Sequence, residues 1–279
     1  MSRYSFSGHE SFQCKSLWLK KGYDYLLTNN SFTDVDAVVK LGVGKNMVAS
    51  IRFWLRAFCL TKADTLEPIS KYIFDTENGK DPFAEDLNTI WLLHFLLVSS
   101  GVASLYNLLF VEFQREKKEF TKSELMSFIK RKCSIPEQKN AYNDNTVRKD
   151  IGVLLKNYVA PSDLKTIEDF SALMIGLGLI VYKGNNIYCF KVSNSNDIAP
   201  EIILAALIRI KGKDMTVSFD VLQKLSLIFE LPMASLIDII RTLEKMFPGT
   251  LLFTDNSGIK NVQFIREIDE FEALNHYYE

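Results

Sequence analysis

The sequence predicts a mainly helical, α+β protein built from three tandem modules, each with short helices and a small β-hairpin. Three observations predict this fold class. The chain has 279 residues, more than one typical domain. It is 47% hydrophobic, enough to give each module a core. An amphipathic helical segment recurs three times, each time with a short helix before it and a hairpin signal after it. This order is typical of helix-turn-helix and winged-helix proteins.

The three amphipathic segments share an apolar stripe at the spacing of an α-helix. In the first, the stripe is Met47, Ile51, Trp54, Leu55 and Phe58. In the second, it is Val147, Ile151, Leu154, Leu155 and Tyr158. In the third, it is Leu236, Ile240, Leu243 and Phe247. Because any amphipathic helix can show such a stripe, the prediction depends on the elements that surround it.

The first module, residues 1–103, has the signature of a helix-turn-helix. We predict helices near Lys15–Leu27, over Val35–Leu41 and from Asn46 to Leu60. Gly42-Val43-Gly44 breaks the chain between the second and the third of these helices.

A wing and a buried helix complete this module. Ile69–Phe74, followed by Asn78-Gly79, reads as a strand and a turn. Pro82 to Ser100 reads as a buried helix, with Asp81 as its cap.

The second module, residues 104–195, repeats the order. Helices are predicted over Lys122–Lys132 and from Asn145 to Tyr158. A hairpin follows, with its turn at Gly184-Asn185-Asn186.

The third module covers residues 196–279. Its predicted helices are Glu201–Ile210, Phe219–Phe229 and Met233–Phe247, and its hairpin turns at residues 254–258.

The formal net charge of −1 hides an alternation of basic and acidic blocks. Residues 1–62 carry a net charge of +5 and residues 104–165 carry +4, whereas residues 63–103 and 166–279 carry −5 each. A polyanion would therefore bind one of the two basic blocks, residues 1–62 or residues 104–165.

Two of the predicted helices have a basic face with a small residue near its middle. On the first helix this face carries Lys45, Asn46, Ala49, Arg52, Phe53 and Arg56. On the second it carries Asn145, Arg148, Lys149, Gly152 and Lys156. Cations can contact phosphates, and a small residue lets a helix approach a groove closely. A solvated helix face has the same composition, so a single such helix would decide nothing. The third helix exposes acidic residues and is a poor candidate.

Two clusters of titratable residues have the composition of catalytic or metal sites. Asp81, Glu85 and Asp86 precede His94, but capping of a helix and a core histidine explain them more simply. His9 and Glu10 lie near Cys14 without further ligands at a metal-site spacing. We therefore expect no enzyme, no cofactor and no metal.

The four cysteines and the chain's hydropathy predict a reducing compartment. The cysteines are isolated, without a CxxC pair. No signal peptide and no membrane-spanning run are apparent, so we expect a cytoplasmic protein.

Several motifs resemble the bacterial DUF4007 family, a domain of unknown function. The resembling stretches are residues 6–12, FSGHESF, residues 18–22, WLKKG, residues 37–56, AVVKLGVGKNMVASIRFWLR, residues 81–86, DPFAED, residues 91–94, WLLH, residues 146–150, TVRKD, and residues 277–278, YY. The resemblance covers almost the whole chain. It departs from the family pattern at Phe83-Ala84, where tyrosine and leucine are usual. It implies a gene neighbourhood of sulfur-transfer enzymes, which is associated with DNA phosphorothioation and phage defence.

The leading hypothesis is a non-catalytic, DNA-binding accessory protein of a bacterial modification or defence system. Double-stranded DNA and protein subunits of that system are its expected partners. The alternative is a scaffold that docks a sulfur-transfer enzyme or an ATPase without contacting DNA. A metal-dependent nuclease using the carboxylates of residues 81–86 is a third reading. The mark recognised and the oligomeric state stay open.

Overall fold

A computed structural model describes residues 3–161, 171–256 and 259–279. The chain forms two compact units, residues 1–191 and residues 192–279. It is a mixed α+β fold with small antiparallel sheets.

The first part of unit 1 consists of five helices and a two-stranded hairpin. The elements are α1 (Trp18–Leu27), α2 (Ala37–Leu41), α3 (Lys45–Ala57), β1 (Thr61–Lys62), β2 (Thr65–Leu66), α4 (Pro68–Phe74) and α5 (Leu87–Ser99). The glycines between α2 and α3 form the predicted break. Gly42 ends α2 in the left-handed conformation, at φ 61°, and Gly44 is the extended N-cap of α3.

The predicted wing of the first module is wrong, because Ile69–Phe74 lies in helix α4 and not in a strand. Pro68 occupies the first helical turn, where its fixed φ suits a helix and its missing N–H is no loss. Ile69 and Ile73, four residues apart, are both buried. The hairpin lies earlier, where Ala63 and Asp64 turn between β1 and β2 with φ of 49° and 62°.

The helix predicted over Pro82–Ser100 begins at Leu87. Ala84 has a φ of 51°, which interrupts helical geometry before that point. Asp86 is the N-cap, since its carboxylate accepts from the backbone N–H groups of Asn88 and Thr89. The sequence predicted Asp81 as the cap of this helix, and that prediction is wrong.

The second part of unit 1 contains a three-stranded sheet with two helices inserted between its first two strands. Its elements are α6 (Ser104–Asn107), a π-helical segment (Leu108–Phe113), α7 (Gln114–Glu116), β3 (Glu119–Phe120), α8 (Lys122–Lys132), α9 (Asp144–Tyr158), β4 (Ile180–Gly184) and β5 (Ile187–Phe190). The strand order is β3-β5-β4. The predicted turn is confirmed at Asn185 and Asn186, whose φ values of 50° and 61° suit a two-residue hairpin.

Unit 2 repeats this order of elements. It contains α10 (Pro200–Lys211), β6 (Thr216–Ser218), α11 (Phe219–Ile228), α12 (Met233–Met246), β7 (Leu251–Asn256), β8 (Ile259–Phe264) and α13 (Glu270–Tyr278). Its strand order, β6-β8-β7, again places the first strand beside the last. The predicted hairpin is present, but residues 254–256 of its predicted turn belong to β7, and Ser257 and Gly258 lie outside the described residues.

The three predicted apolar stripes pack into the core. Only Met47 among their members is half-exposed, and the others are buried. The stripes therefore orient α3, α9 and α12, so that the opposite face of each helix meets solvent.

The N-terminal segment connects the first part of unit 1 to the second. The backbone N–H of Tyr4 donates to Gln138 Oε1 at 2.7 Å, and that of Ser5 donates to Ser104 Oγ at 2.9 Å. The predicted division into modules at residues 103 and 195 stays a prediction, and unit 1 contains the first module and residues 104–191 of the second.

Within the described ranges, no helix alone has the length and apolarity that a membrane crossing requires. Two helical stretches, Leu87–Ser99 and Ser104–Glu116, have the required length and apolarity when taken together, but the chain bends by 102° between them. Nine of the thirteen residues of Leu87–Ser99 are buried.

Candidate nucleic-acid interface

Helix α9 presents the predicted basic face to solvent. Asn143 begins it, since its side-chain oxygen accepts from the backbone N–H groups of Asn145 and Thr146 at 3.0 and 3.1 Å. The apolar stripe then faces the core. The side chains left exposed along the helix are Asp144 in the first turn and then Asn145, Arg148, Lys149 and Lys156.

No ion pair holds Arg148, Lys149 or Lys156 in the part of the chain that the structure describes. Gly152 lies between them on the same face, and a Cβ atom added there would meet nothing within 4 Å. Among the described residues, the middle of this face is therefore open, and no ion pair between them must break for its cations to reach an incoming anion.

A groove of about 560 Å³ separates α9 from the start of α8 and the β4–β5 turn. Its cations are Lys122 and Arg148, and the side chains of Asn185 and Asn186 close one side. No carboxylate belongs to its described lining. Thr121 caps α8 in a capping box with Glu124, and the groove borders this N-terminal end of the helix, where the helix dipole favours an anion. The groove is thus suited to an anion.

Glu124 carries a negative charge near the groove, but that charge is paired with Lys117, which is outside the described lining. The Lys117 ammonium and the Thr121 backbone and hydroxyl bind its carboxylate and hold its pKa at about 2.

The sequence reasoning missed Lys122, Asn185 and Asn186 as site residues. Lys122 stood in the sequence as the first residue of a predicted helix, and the two asparagines stood as a predicted turn. Their proximity to Arg148 depends on how α8, α9 and the hairpin pack, which no local pattern encodes. The available signal was the predicted helix-turn-helix order, since in proteins with that motif the start of one helix and the wing lie close to the helix that enters the groove.

The basic face of α3 differs from the prediction at two positions. Phe53 is buried, at 3% exposure, with its ring edge-on to His9 at 5.7 Å. The prediction that it shares the solvent face is therefore wrong, because the N-terminal loop covers it. Arg52 is bound by Asp64 in the β1–β2 turn, through Nε at 2.9 Å and Nη2 at 2.6 Å. Lys45, Asn46 and Arg56 remain exposed, as predicted.

His9 joins the N-terminal loop to both basic helices. Its Nδ1 accepts from the backbone N–H of Ser11 at 3.1 Å, so Nε2 carries the proton and donates it to Asp150 on α9. Its ring stacks on Trp54 of α3, with centroids 6.0 Å apart at 15°. His9 and Asp150 are both buried. The sequence could not pair residues so far apart, and the motif around His9 is explained by this link.

A second buried network lies next to this link. Asn157 of α9 accepts from the backbone N–H of Cys14 at 2.9 Å and donates to the Tyr106 hydroxyl at 2.6 Å. Burial raises the pKa values of Cys14 and Tyr106 well above their ordinary ranges. These groups are therefore neutral at physiological pH and serve to hold α9 in place.

The carboxylates of residues 81–86 are bound by backbone groups. Asp81 accepts from the N–H groups of Glu85 and Asp86, each at 3.0 Å, and Asp86 caps α5. His94 is fully buried, and its Nδ1 bonds the Tyr158 hydroxyl at 2.7 Å, as expected of a core histidine. Glu85 is exposed. These contacts give Asp81 and Asp86 structural roles.

A family model for the DUF4007 proteins, described as proteins of unknown function, matches residues 6–278. The chain belongs to the DUF4007 family. The resemblance of the motifs is thereby confirmed, and the family itself has no assigned activity.

Two solved structures are similar to the DUF4007 chain over nearly its full length. One is a crystal structure of SspB, at 25% identity and a TM-score of 0.84. The other is magnesium ion-bound SspB, at 26% identity and a TM-score of 0.83. Each match covers 98% of this chain and 88% of the other. Among curated proteins, none matches.

Proposed function

We propose that this protein is a non-catalytic DNA-binding subunit of a bacterial DNA-modification or defence system, and that it binds duplex DNA through α9, α8 and the β4–β5 hairpin. The observation that carries this proposal is the groove beside α9. Lys122 and Arg148 line it without any described carboxylate, next to exposed Lys149 and Lys156.

We further propose that residues 104–191 and unit 2 are winged-helix modules. In each, a helix, a strand, two helices and a hairpin follow one another, and the first strand pairs with the last. In a winged helix, the second helix of the helix-turn-helix enters the major groove while the first crosses the backbone. Here α9 is the helix that enters the major groove, and α8 is the helix that crosses the backbone.

In this mode most contacts of the protein go to phosphates. Lys149 and Lys156 face the backbone, and Lys122 adds its charge to the N–H groups at the start of α8. Asn145 and Arg148 at the beginning of α9 can pair with base edges, since amide and guanidinium groups match these in two-bonded geometry. Lys45, Asn46 and Arg56 of α3 form a second basic face, to which Arg52 adds only by exchanging Asp64 for phosphate.

The test is charge reversal at Arg148 and Lys149, with Lys224→Glu and Lys245→Glu in unit 2 as the matched control. All four residues are exposed. We expect Arg148→Glu with Lys149→Glu to weaken duplex binding at least tenfold and to lower the salt slope by about two. The control pair should leave the duplex affinity and the salt slope unchanged. Equal effects of the two pairs would show non-specific attraction and contradict the assignment to α9.

The magnesium-bound form of SspB makes one further control necessary. Binding is measured with Mg²⁺ and with a chelator, and the DNA is examined for strand breaks. We expect none. Mg²⁺-dependent cleavage that disappears in Asp86→Ala would replace the non-catalytic part of the proposal with the nuclease reading.

A docking scaffold is the second candidate, and one observation favours it. Several large apolar side chains near α1 and α2 are exposed, among them Leu17 at 56%, Val39 at 81% and Phe83 at 52%. Co-purification with a sulfur-transfer enzyme, together with no retention of DNA, would favour this candidate.

A further inference from the structure

A second groove, of about 440 Å³, lies on the other side of Lys122. Gly152, Leu155 and Lys156 of α9 form one wall, and Tyr182 and Tyr188 of the hairpin form the opposite wall. This groove differs from the first in having aromatic rings in its lining. It is called the tyrosine groove below.

Tyr182 offers an accessible and well-positioned ring. Its side chain is 41% exposed, and its hydroxyl accepts a hydrogen bond from the Asn186 backbone N–H at 3.3 Å. The ring of Tyr188, which is buried, supports it at a centroid distance of 5.2 Å. A ligand that stacks on Tyr182 would therefore meet a ring that is already held in place.

The charged side chains in the described lining of the tyrosine groove are both basic. Lys122 Nζ lies 5.9 Å over the ring of Tyr188, and Lys156 stands on the opposite wall. Within the described residues, the lining contains no aspartate or glutamate. The groove thus combines an aromatic face, an apolar floor at Leu155 and two cations.

These features fit an unpaired nucleotide better than a duplex. A nucleotide outside a duplex exposes the face of its base, which stacks on aromatic side chains, and carries the phosphate that lysines bind. Inside a duplex, the faces of the bases are covered by neighbouring base pairs, so that only phosphates and groove edges are available. The open space above Gly152 leaves room for the sugar-phosphate chain to enter.

We propose that the tyrosine groove binds one unpaired nucleotide of a DNA strand whose duplex part lies along α9. This inference rests on the proposed function and goes further, because it names a junction of single-stranded and double-stranded DNA as the preferred ligand class.

The experiment uses the full chain and three fluorescent DNAs of the same duplex sequence. One is blunt, one carries a short thymidine overhang, and one carries an overhang of the same length with abasic sites. We expect the thymidine overhang to bind about tenfold more tightly than either of the others, which is the size of one base–aromatic stack.

Two variants locate this preference. Tyr182→Ala removes the ring and should make the thymidine overhang bind no more tightly than the blunt duplex, when both are measured with this same variant. Tyr182→Phe keeps the ring and should keep the preference. Because Tyr182 is partly exposed, both variants should fold, which circular dichroism checks. If both variants lose the preference for the thymidine overhang equally, the preference depends on the Tyr182 hydroxyl, and stacking on the ring is overturned.

The outcomes separate this inference from the proposed function. Salt-sensitive binding that is equal for the three DNAs would overturn the tyrosine groove and leave duplex binding intact. No binding to any of them would overturn both. Thymidine monophosphate is also tested as a competitor. If it competes at the concentration at which the overhang DNA binds, the ligand is a free nucleotide, and the proposal of a junction as the preferred ligand is overturned.

Discussion

At the scale of single residues, the buried side chains that connect α3 to α9 explain why the N-terminal motif has its composition. Gly8 has a φ of 100°, and a Cβ atom there would lie 2.6 Å from the Phe53 ring. Only glycine fits such a position. His9 follows and bridges the stacked Trp54 and the Asp150 carboxylate. The motif therefore sets the position of two helices that we propose to be functional.

Removing the histidine should destabilise the fold strongly. We expect His9→Ala to lower the free energy of unfolding by about 3–5 kcal/mol, because Asp150 would stay buried without its partner. Asp150→Asn keeps an oxygen that accepts from Nε2–H, and should cost clearly less. Urea unfolding followed by circular dichroism measures both. Equal losses, or a loss below about 1 kcal/mol for His9→Ala, would contradict the role of this pair.

Tyr23 gives a prediction about alkaline pH. Burial, followed by the nearby Asp75 carboxylate, raises the pKa of Tyr23 to about 12. In the unfolded chain this pKa is near 10. The stabilisation is therefore complete below about pH 10 and is lost as the pH rises towards 12, since only the unfolded chain then releases the proton.

The measurement is urea unfolding of the wild type and Tyr23→Phe at several pH values from neutral to alkaline. Between about pH 10 and 12 the wild type should lose more stability than the variant, which lacks the titrating group. Parallel loss in the two proteins over this range would show that Tyr23 titrates normally in the fold.

At the scale of elements, the sequence predicts best where a local signal defines an end. The starts predicted for α8 and α9, at Lys122 and Asn145, agree with the structure within one residue, and the structure has a cap at each start, Thr121 and Asn143. The first wing was mispredicted because β1 and β2 have two residues each, and Ala63-Asp64 is not a typical turn sequence. Strands this short carry no periodicity that a sequence pattern can detect.

The two helical glycines Gly152 and Gly22 should respond oppositely to alanine. An added Cβ at Gly152 of α9 meets nothing within 4 Å, so Gly152→Ala should stabilise the fold by about 0.5–1 kcal/mol through helix propensity. At Gly22 of α1 the Cβ would lie 2.7 Å from Leu55 Cδ1, and alanine should destabilise.

Thermal unfolding of the two alanine variants measures this contrast. A larger side chain, in Gly152→Leu, should weaken DNA binding while the protein stays folded, since it fills the open middle of the basic face. Unchanged DNA affinity for Gly152→Leu would show that no ligand approaches α9 at this point.

At the scale of the whole molecule, the sequence predicted an α+β fold and, in residues 104–279, the helices α8 to α12 and the two hairpins, but not the strands β3 and β6 or the helices α6, α7 and α13. It also predicted that Arg148, Lys149 and Lys156 are exposed. It did not predict Lys122 or Tyr182 as part of an interface, because their roles depend on the packing of the hairpin and the start of α8 beside α9. Nor could it predict that the N-terminal segment packs against the second part of unit 1, since such long-range contacts leave no local pattern.

The most direct test of the central claim is fluorescence polarisation of the full chain with a duplex of random sequence across a salt series. The duplex is prepared with and without phosphorothioate linkages. If α9 and its neighbours bind DNA through about six phosphates, affinity should fall by at least about a hundredfold between roughly 50 and 200 mM salt. Tighter binding of the modified duplex would make the protein a reader of that mark. No binding of either duplex at low salt would contradict the claim and leave the docking scaffold as the function to test.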